Sequence, residues 1–392
     1  MSRNACLALP ILLLLLAGCY HLASCRRGTF RLSARASRSG KLDIANQVEK
    51  KEVLDTASIL ENTRKLMNLS SMRRAKDKEK LLLRDTLEDR EILSFVRNGH
   101  LFVPQLLNPS IINDRLMPAC LGFEKSRGSV LSAYRHKVKV QLDYKGNVDK
   151  LSLKECKALL KEAGIIDSKL IPFLQFFNLW RNDNEISKVA LSKELGKIAA
   201  QLLGVNGVRL YHDTLFIKKS GNGPTLWHSD LNMAPFDGND FITCWIPLQP
   251  VPSQSEGGSS LSFASRSHCD FALPYWSNPI ETDLTGRYQI VDYPNFELGD
   301  CTWHHGWTLH SAPPNTLDLD RYAYAISFIA DGTYLLQEDG HIRRPDTEDY
   351  QSYEDWIEDV QWGNFADHKY LPLVFQEESI DDDAQEVDIR LD

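Results

Sequence analysis

Between about residue 208 and residue 333 the chain reads as short strands separated by turns. The clearest strand is Arg321-Tyr322-Ala323-Tyr324-Ala325-Ile326-Ser327-Phe328-Ile329, which alternates and is rich in aromatic and β-branched residues. Many short strands at turn spacing suit two packed sheets in a jelly roll. Leu153 to Ala163 and Ile186 to Leu203 read as helices, the second ending at Gly204. Residues 270 to 298, aromatic and proline-containing, read as a long insertion between core strands; loops of that length commonly serve as lids. The expected class is mainly β with flanking helices.

Within this region lies the pair His228-Ser229-Asp230, with a distal His310 and, eleven positions later, Arg321. Residues i and i+2 of a strand face the same way, so His228 and Asp230 can offer an imidazole and a carboxylate to one ion. Two histidines and one carboxylate cover one face of an octahedral Fe(II) and leave positions open. The pair alone is a weak signal, because 11 histidines and 53 acidic residues make chance matches frequent. Gly299 to Ser311 reads as a turn, a strand and a tight bend that delivers His310 next to the strongest strand. Arg321 has the rigid fork of donors that matches a carboxylate. A salt-bridged strand arginine is the alternative reading, since Asp318 and Asp320 stand nearby. His304 and His305 have no evident acid, and His268 reads as closing a turn.

Several phrases, taken in order, carry a resemblance. Phe95 to Pro104 reads as a helix leading into a strand, and Leu210 to Lys218 as the strand before His228. Cys244-Trp245-Ile246-Pro247-Leu248 is the strand after it. Gly257-Gly258 leads to Ser267-His268, and His305-Gly306-Trp307-Thr308-Leu309-His310 is followed by Asn315 and Arg321. Over roughly residues 89 to 375 the chain resembles the phytanoyl-CoA dioxygenase family of Fe(II)/2-oxoglutarate oxygenases. The resemblance implies a double-stranded β-helix, with His228, Asp230 and His310 as metal ligands and catalytic centre. It implies that Arg321 holds the C5 carboxylate of 2-oxoglutarate and that Trp245 lines the co-substrate pocket. Thr214 and Ser311 are further candidates for that pocket. Members often carry a hydroxyl residue two positions after the distal histidine; Ala312 stands there, with Ser311 one position earlier. The implied reaction consumes O2 and 2-oxoglutarate, releases succinate and CO2, and hydroxylates a small molecule or acyl substrate. A non-catalytic ligand-binding relative and a cupin-like metal enzyme without 2-oxoglutarate are the rival readings.

The net charge of -8 argues against a nucleic-acid surface. Cys6, Cys19 and Cys25 precede the body of the chain; the other five cysteines form no evident framework and read as reduced thiols. Residues 1–41 read as a leader. The apolar stretch from Leu7 to Leu16, after Arg3, has the length of a signal core and is too short to span a membrane. Residues 26 to 41 are rich in Arg and Ser, and the first acid of the chain is Asp43. A signal core followed by a transit-like stretch is expected to direct import into a plastid, with the endoplasmic reticulum or secretion as alternatives. Residues 42–88 read as a charged helical extension, residues 89–375 as the oxygenase domain, and residues 376–392 as an acidic tail.

Overall fold

The computed structural model describes residues 80–142, 144–164, 173–271, 283–337 and 349–378. The leader, most of the extension and most of the acidic tail lie outside the described residues. The described end of the extension, residues 80–88, is not helical. Instead Leu82 is fully buried and bridges Leu107, so the packed body begins before residue 89.

Among the described residues, six helices of seven residues or more flank the sheets: α1 (Asp89–Asn98), α2 (Met117–Lys125), α3 (Arg127–Gln141), α4 (Leu153–Glu162), α5 (Asn184–Ala190) and α6 (Lys193–Leu203). The stretch expected as one helix from Ile186 to Leu203 is therefore two. Ser192 is extended, and its hydroxyl accepts the Leu195 N–H at 3.2 Å, so it starts a new helix. Gly204, at φ +70°, ends α6 as expected.

The larger sheet runs in the order β1 (His100–Val103), β9 (Cys301–His305), β6 (Phe241–Pro247), β11 (Arg321–Ala330), β3 (Gly207–Lys218), β13 (Leu373–Gln376), with β2 (Leu174–Phe177) also on β3. The smaller sheet is β4 (Thr225–His228), β10 (His310–Ala312), β7 (Ser262–Ala264), β8 (Ile290–Asp292). A short pair, β5 (Phe236–Asp237) with β12 (Tyr334–Leu335), completes the strands. The paired strands are antiparallel, as a jelly roll requires. The expected 270–298 insertion is not wholly extra-core: Ile290–Asp292 pairs with β7 and widens the smaller sheet.

Period-two alternation assigns the two faces of the larger sheet. Trp303, Cys244, Ile246, Tyr324, Ile326, Leu215 and Ile217 point outward into one apolar cluster with Phe95 of α1 and with Leu195, Ile198 and Leu202 of α6. Trp245, Ala323 and Ala325 point inward and meet Phe263 and Ala312 of the smaller sheet. The candidate site lies between the two sheets, and the helices seal the opposite face.

Candidate active site

His228 ends β4, and His310 begins β10 as its direct cross-strand partner. Asp230 is not in the strand, contrary to the sequence reading. Ser229 is extended, and Asp230 opens a single helical turn to Met233. This turn lies hard against the β9–β10 bend, where the Leu231 N–H donates to the Gly306 carbonyl at 3.0 Å. A Cβ on Gly306 would stand 2.8 Å from that of Phe241 and 2.9 Å from that of Leu231, so only glycine allows this approach.

The three side chains converge. Asp230 Oδ1 lies 3.8 Å from His228 Nε2 and 3.4 Å from His310 Nε2. Among the described residues, these three form the cluster able to hold a metal ion, with donor atoms within 4.8 Å of one another. Donors about 2.1 Å from one ion stand about 3 Å apart at octahedral angles, so small adjustments suffice. The tautomers suit the task. His228 Nδ1 donates to the Leu226 carbonyl at 2.8 Å and His310 Nδ1 to the Thr308 carbonyl at 3.0 Å. Both Nε2 lone pairs are thereby directed at the ligand position.

Asp230 is held through its other oxygen. Oδ2 accepts the Thr243 hydroxyl at 2.7 Å and His304 Nε2–H at 3.0 Å. His304 thus has the acid partner that its sequence context did not reveal. Burial pushes the Asp230 carboxyl up, but His310, His304 and His228 together outweigh it and keep the group well below the usual carboxylate range. Burial, reinforced by His228, holds His310 well below the ordinary histidine value, which keeps its imidazole neutral and ready to ligate.

The register places these groups on one rung. His100, His304, Thr243, Ser327 and His212 are successive cross-strand partners from β1 through β9, β6 and β11 to β3. One rung further along are Thr302, Trp245, Ala325 and Thr214. Beyond Pro247, Ala323 and Phe216 comes the pair Arg321 and Lys218. Cross-strand partners share a face, so the inner wall runs from the metal cluster, past two alanines, to two cations.

Arg321 is buried, its guanidinium is 5.5 Å from the Trp245 ring centre, and its Nε has no hydrogen-bond partner among the described residues. Asp320 is engaged elsewhere, with Lys219 at 2.9 Å. The salt-bridged alternative for Arg321 therefore finds no acid among the described residues. Thr214 faces inward, where its hydroxyl meets His212 Nδ1 at 2.9 Å. On β10, His310 and Ala312 are buried inward, and Ser311, half-buried, takes the opposite face beside Ser262. Thr243 and Lys218 were missed, because nothing in their local sequence distinguishes them from other strand residues. His268 lies in a 3-10 turn, Ser267–Asp270, as expected.

Residues 151–323 match the model of the family described as Phytanoyl-CoA dioxygenase (PhyH). That segment holds all seven residues expected at the site. That stretch is similar to the phytanoyl-CoA dioxygenase family over a little under half of the chain. A curated relative, "Probable alpha-ketoglutarate-dependent hypophosphite dioxygenase" from Stutzerimonas stutzeri, is 26% identical over 172 residues. The match covers 38% of this chain and 55% of that relative, so it spans about half of the relative's length. The non-heme alpha ketoglutarate dependent carbocyclase SnoK from nogalamycin biosynthesis superposes with a TM-score of 0.53 at 19% identity, covering 74% of this chain and 97% of that one. A structure of EctD from S. alaskensis with 2-oxoglutarate and 5-hydroxyectoine matches at a TM-score of 0.45 and 15% identity, over 66% of this chain and 82% of that one. The SnoK likeness agrees with the jelly-roll fold described above.

Proposed function

We propose that this chain is an Fe(II)- and 2-oxoglutarate-dependent dioxygenase that hydroxylates a small-molecule or acyl substrate and releases succinate and CO2. The observation that carries the reading is the coincidence, on one inner wall, of a preset His228–Asp230–His310 cluster and a buried arginine with no acid partner among the described residues. The name of the curated relative supports the same co-substrate.

The donor set fits Fe(II): two neutral imidazoles and one carboxylate, each fixed by a second hydrogen bond. Fe(II) held there supplies open coordination positions and the redox capacity to couple O2 to the decarboxylation of 2-oxoglutarate. The protein's own contributions are binding and order. Arg321 receives the C5 carboxylate, which repays the burial of its charge. Trp245 covers the guanidinium, and Ala323 and Ala325 leave room between it and the metal cluster. Thr214 completes the wall. Thr243 and His304 hold Asp230 so that Oδ1 faces the ion. Phe263, Phe296 and Ala312 exclude water from the space between the sheets.

The test is anaerobic loading with Fe(II), followed by O2, 2-oxoglutarate and pooled small-molecule candidates. Succinate release stimulated by one of them, and lost in His310→Ala, is the expected result. Absence of both iron retention and succinate in the wild-type chain would defeat the reading.

The leader supports a proposal about place: two-step import into a plastid. A fluorescent protein carrying residues 1–45 is expected in plastids, and in the secretory system once residues 26–41 are deleted. Export of the intact fusion to the medium would contradict it.

A further inference from the structure

Lys218 closes β3, and its side chain has no exposed surface. It is the direct cross-strand partner of Arg321, so both side chains leave the sheet on the same inner face. Its Nζ reaches across to the smaller sheet and donates to Thr225 Oγ1 at 3.4 Å. No carboxylate among the described residues pairs with either cation. Lys219, next in the chain, turns to the other face, where Glu124 and Asp320 hold it. Arg321 is the charged group that acts on Lys218 among the described residues; Thr225 on β4 and Trp245 on β6 carry no charge. A guanidinium and a protonatable amine thus share one desolvated end of the pocket, with no carboxylate counter-ion among the described residues. Burying a charge without a partner is costly, so the arrangement is built for an anion that arrives from outside.

We propose that Lys218 is a second anchor for the remote carboxylate of 2-oxoglutarate, and that it takes up one proton from solvent as the diacid binds. This rests on the dioxygenase reading above and goes beyond it. Burial, aided by Arg321, lowers the Lys218 amine to about 6 in the empty pocket. At pH 7–8 the empty site therefore holds mostly neutral amine. An incoming carboxylate restores its affinity for the proton, and the resulting ammonium binds the carboxylate alongside the guanidinium. Apart from the N–H bond made with the solvent proton, no covalent bond forms or breaks. The sign follows: raising the pH from about 6 deprotonates the empty-site amine, so 2-oxoglutarate affinity falls, by up to about tenfold per pH unit. The neutral amine also carries a stability cost that an apolar side chain lacks.

The test is calorimetric titration of 2-oxoglutarate into anaerobic Fe(II)-loaded protein, in two buffers of different ionisation enthalpy, from pH 6 to 8.5. Wild type is expected to take up a proton per bound diacid that Lys218→Met does not. At pH 6.5 Lys218→Met should bind about tenfold or more weakly, with a flatter pH dependence and a raised melting temperature. Lys218→Arg retains charge throughout and should keep binding while losing the excess proton uptake. It is the control if the methionine variant folds poorly. Wild-type binding with the same affinity and the same proton count in Lys218→Met and Lys218→Arg overturns the second anchor alone. A wild type that retains iron yet gives no binding heat at any pH overturns the dioxygenase reading itself.

Discussion

At the residue scale the metal cluster depends on atoms that are not ligands. Asp230 presents Oδ1 because Thr243 and His304 occupy Oδ2. The Thr243 hydroxyl is itself 3.0 Å from Ser327 Oγ, so one hydrogen-bonded row braces the carboxylate from below. Partners of this kind commonly alter metal affinity about 10–100-fold when removed. Thr243→Ala is expected to weaken Fe(II) binding within that range while leaving the fold intact, because the change deletes only a hydroxyl and a methyl facing the pocket. Metal titration with a competing chelator reads it. An iron affinity equal to that of wild type would show that His304 alone suffices.

At the element scale the two cations are set by a loop. Asn315 is buried between β10 and β11, where its Nδ2 donates to the Lys218 carbonyl at 3.0 Å and to the Leu319 carbonyl at 2.8 Å. Its Oδ1 accepts the Leu317 N–H at 3.3 Å. One side chain therefore ties the returning loop to the end of β3 and fixes the register at which Arg321 enters β11. Leaving those carbonyls unpaired costs on the order of 1–3 kcal/mol. Asn315→Ala is expected to lower the melting temperature and raise the 2-oxoglutarate needed for half-saturation, while Fe(II) retention stays near wild type. Loss of iron in parallel would mean that the loop positions His310 as well. Asn315 was visible in the sequence as part of the family phrase; its role was not, because its partners lie on another strand.

At the scale of the whole molecule, the outer face of the larger sheet must bury one acid beneath its helices. Asp213 is fully buried; its Oδ2 accepts the Tyr324 hydroxyl at 2.6 Å and the Trp180 N–H at 3.0 Å. Burial pushes its carboxyl up to about 7 from 3.8, against the pull of those hydrogen bonds. A raised folded-state value means that the fold holds a proton which the unfolded chain has released. Stability therefore falls as pH rises between about 4 and 7, by at most about 1.4 kcal/mol per pH unit. Asp213→Asn keeps the acceptor and removes the titration. Its melting temperature relative to wild type is expected to improve on going from pH 5 to pH 8. Parallel curves across that range would place the pH dependence elsewhere. Among the described residues no helix is long and apolar enough to cross a membrane, and the five described cysteines are all free thiols.

The sequence by itself determined the pieces whose signals are local. Alternation in Arg321–Ile329 specified the central strand, and Gly204 specified where α6 ends, whereas the break at Ser192 was read through. Turn residues set the jelly-roll spacing, and His228, Asp230, His310 and Arg321 stood at readable separations. The tertiary structure decided what depends on register. A rung across five strands brings Thr243, His304 and Ser327 beneath Asp230 from three separate strands. Strand parity sent Ser311 to the opposite face of β10 from His310, and a helical turn rather than a strand carries Asp230. Lys218 reads as one more lysine in a basic pair. Only cross-strand pairing with Arg321, and the removal of water by the second sheet, make it a buried amine whose proton is held weakly. Hydrogen bonding and desolvation act between residues far apart in the chain, so neither is written in any local stretch of it.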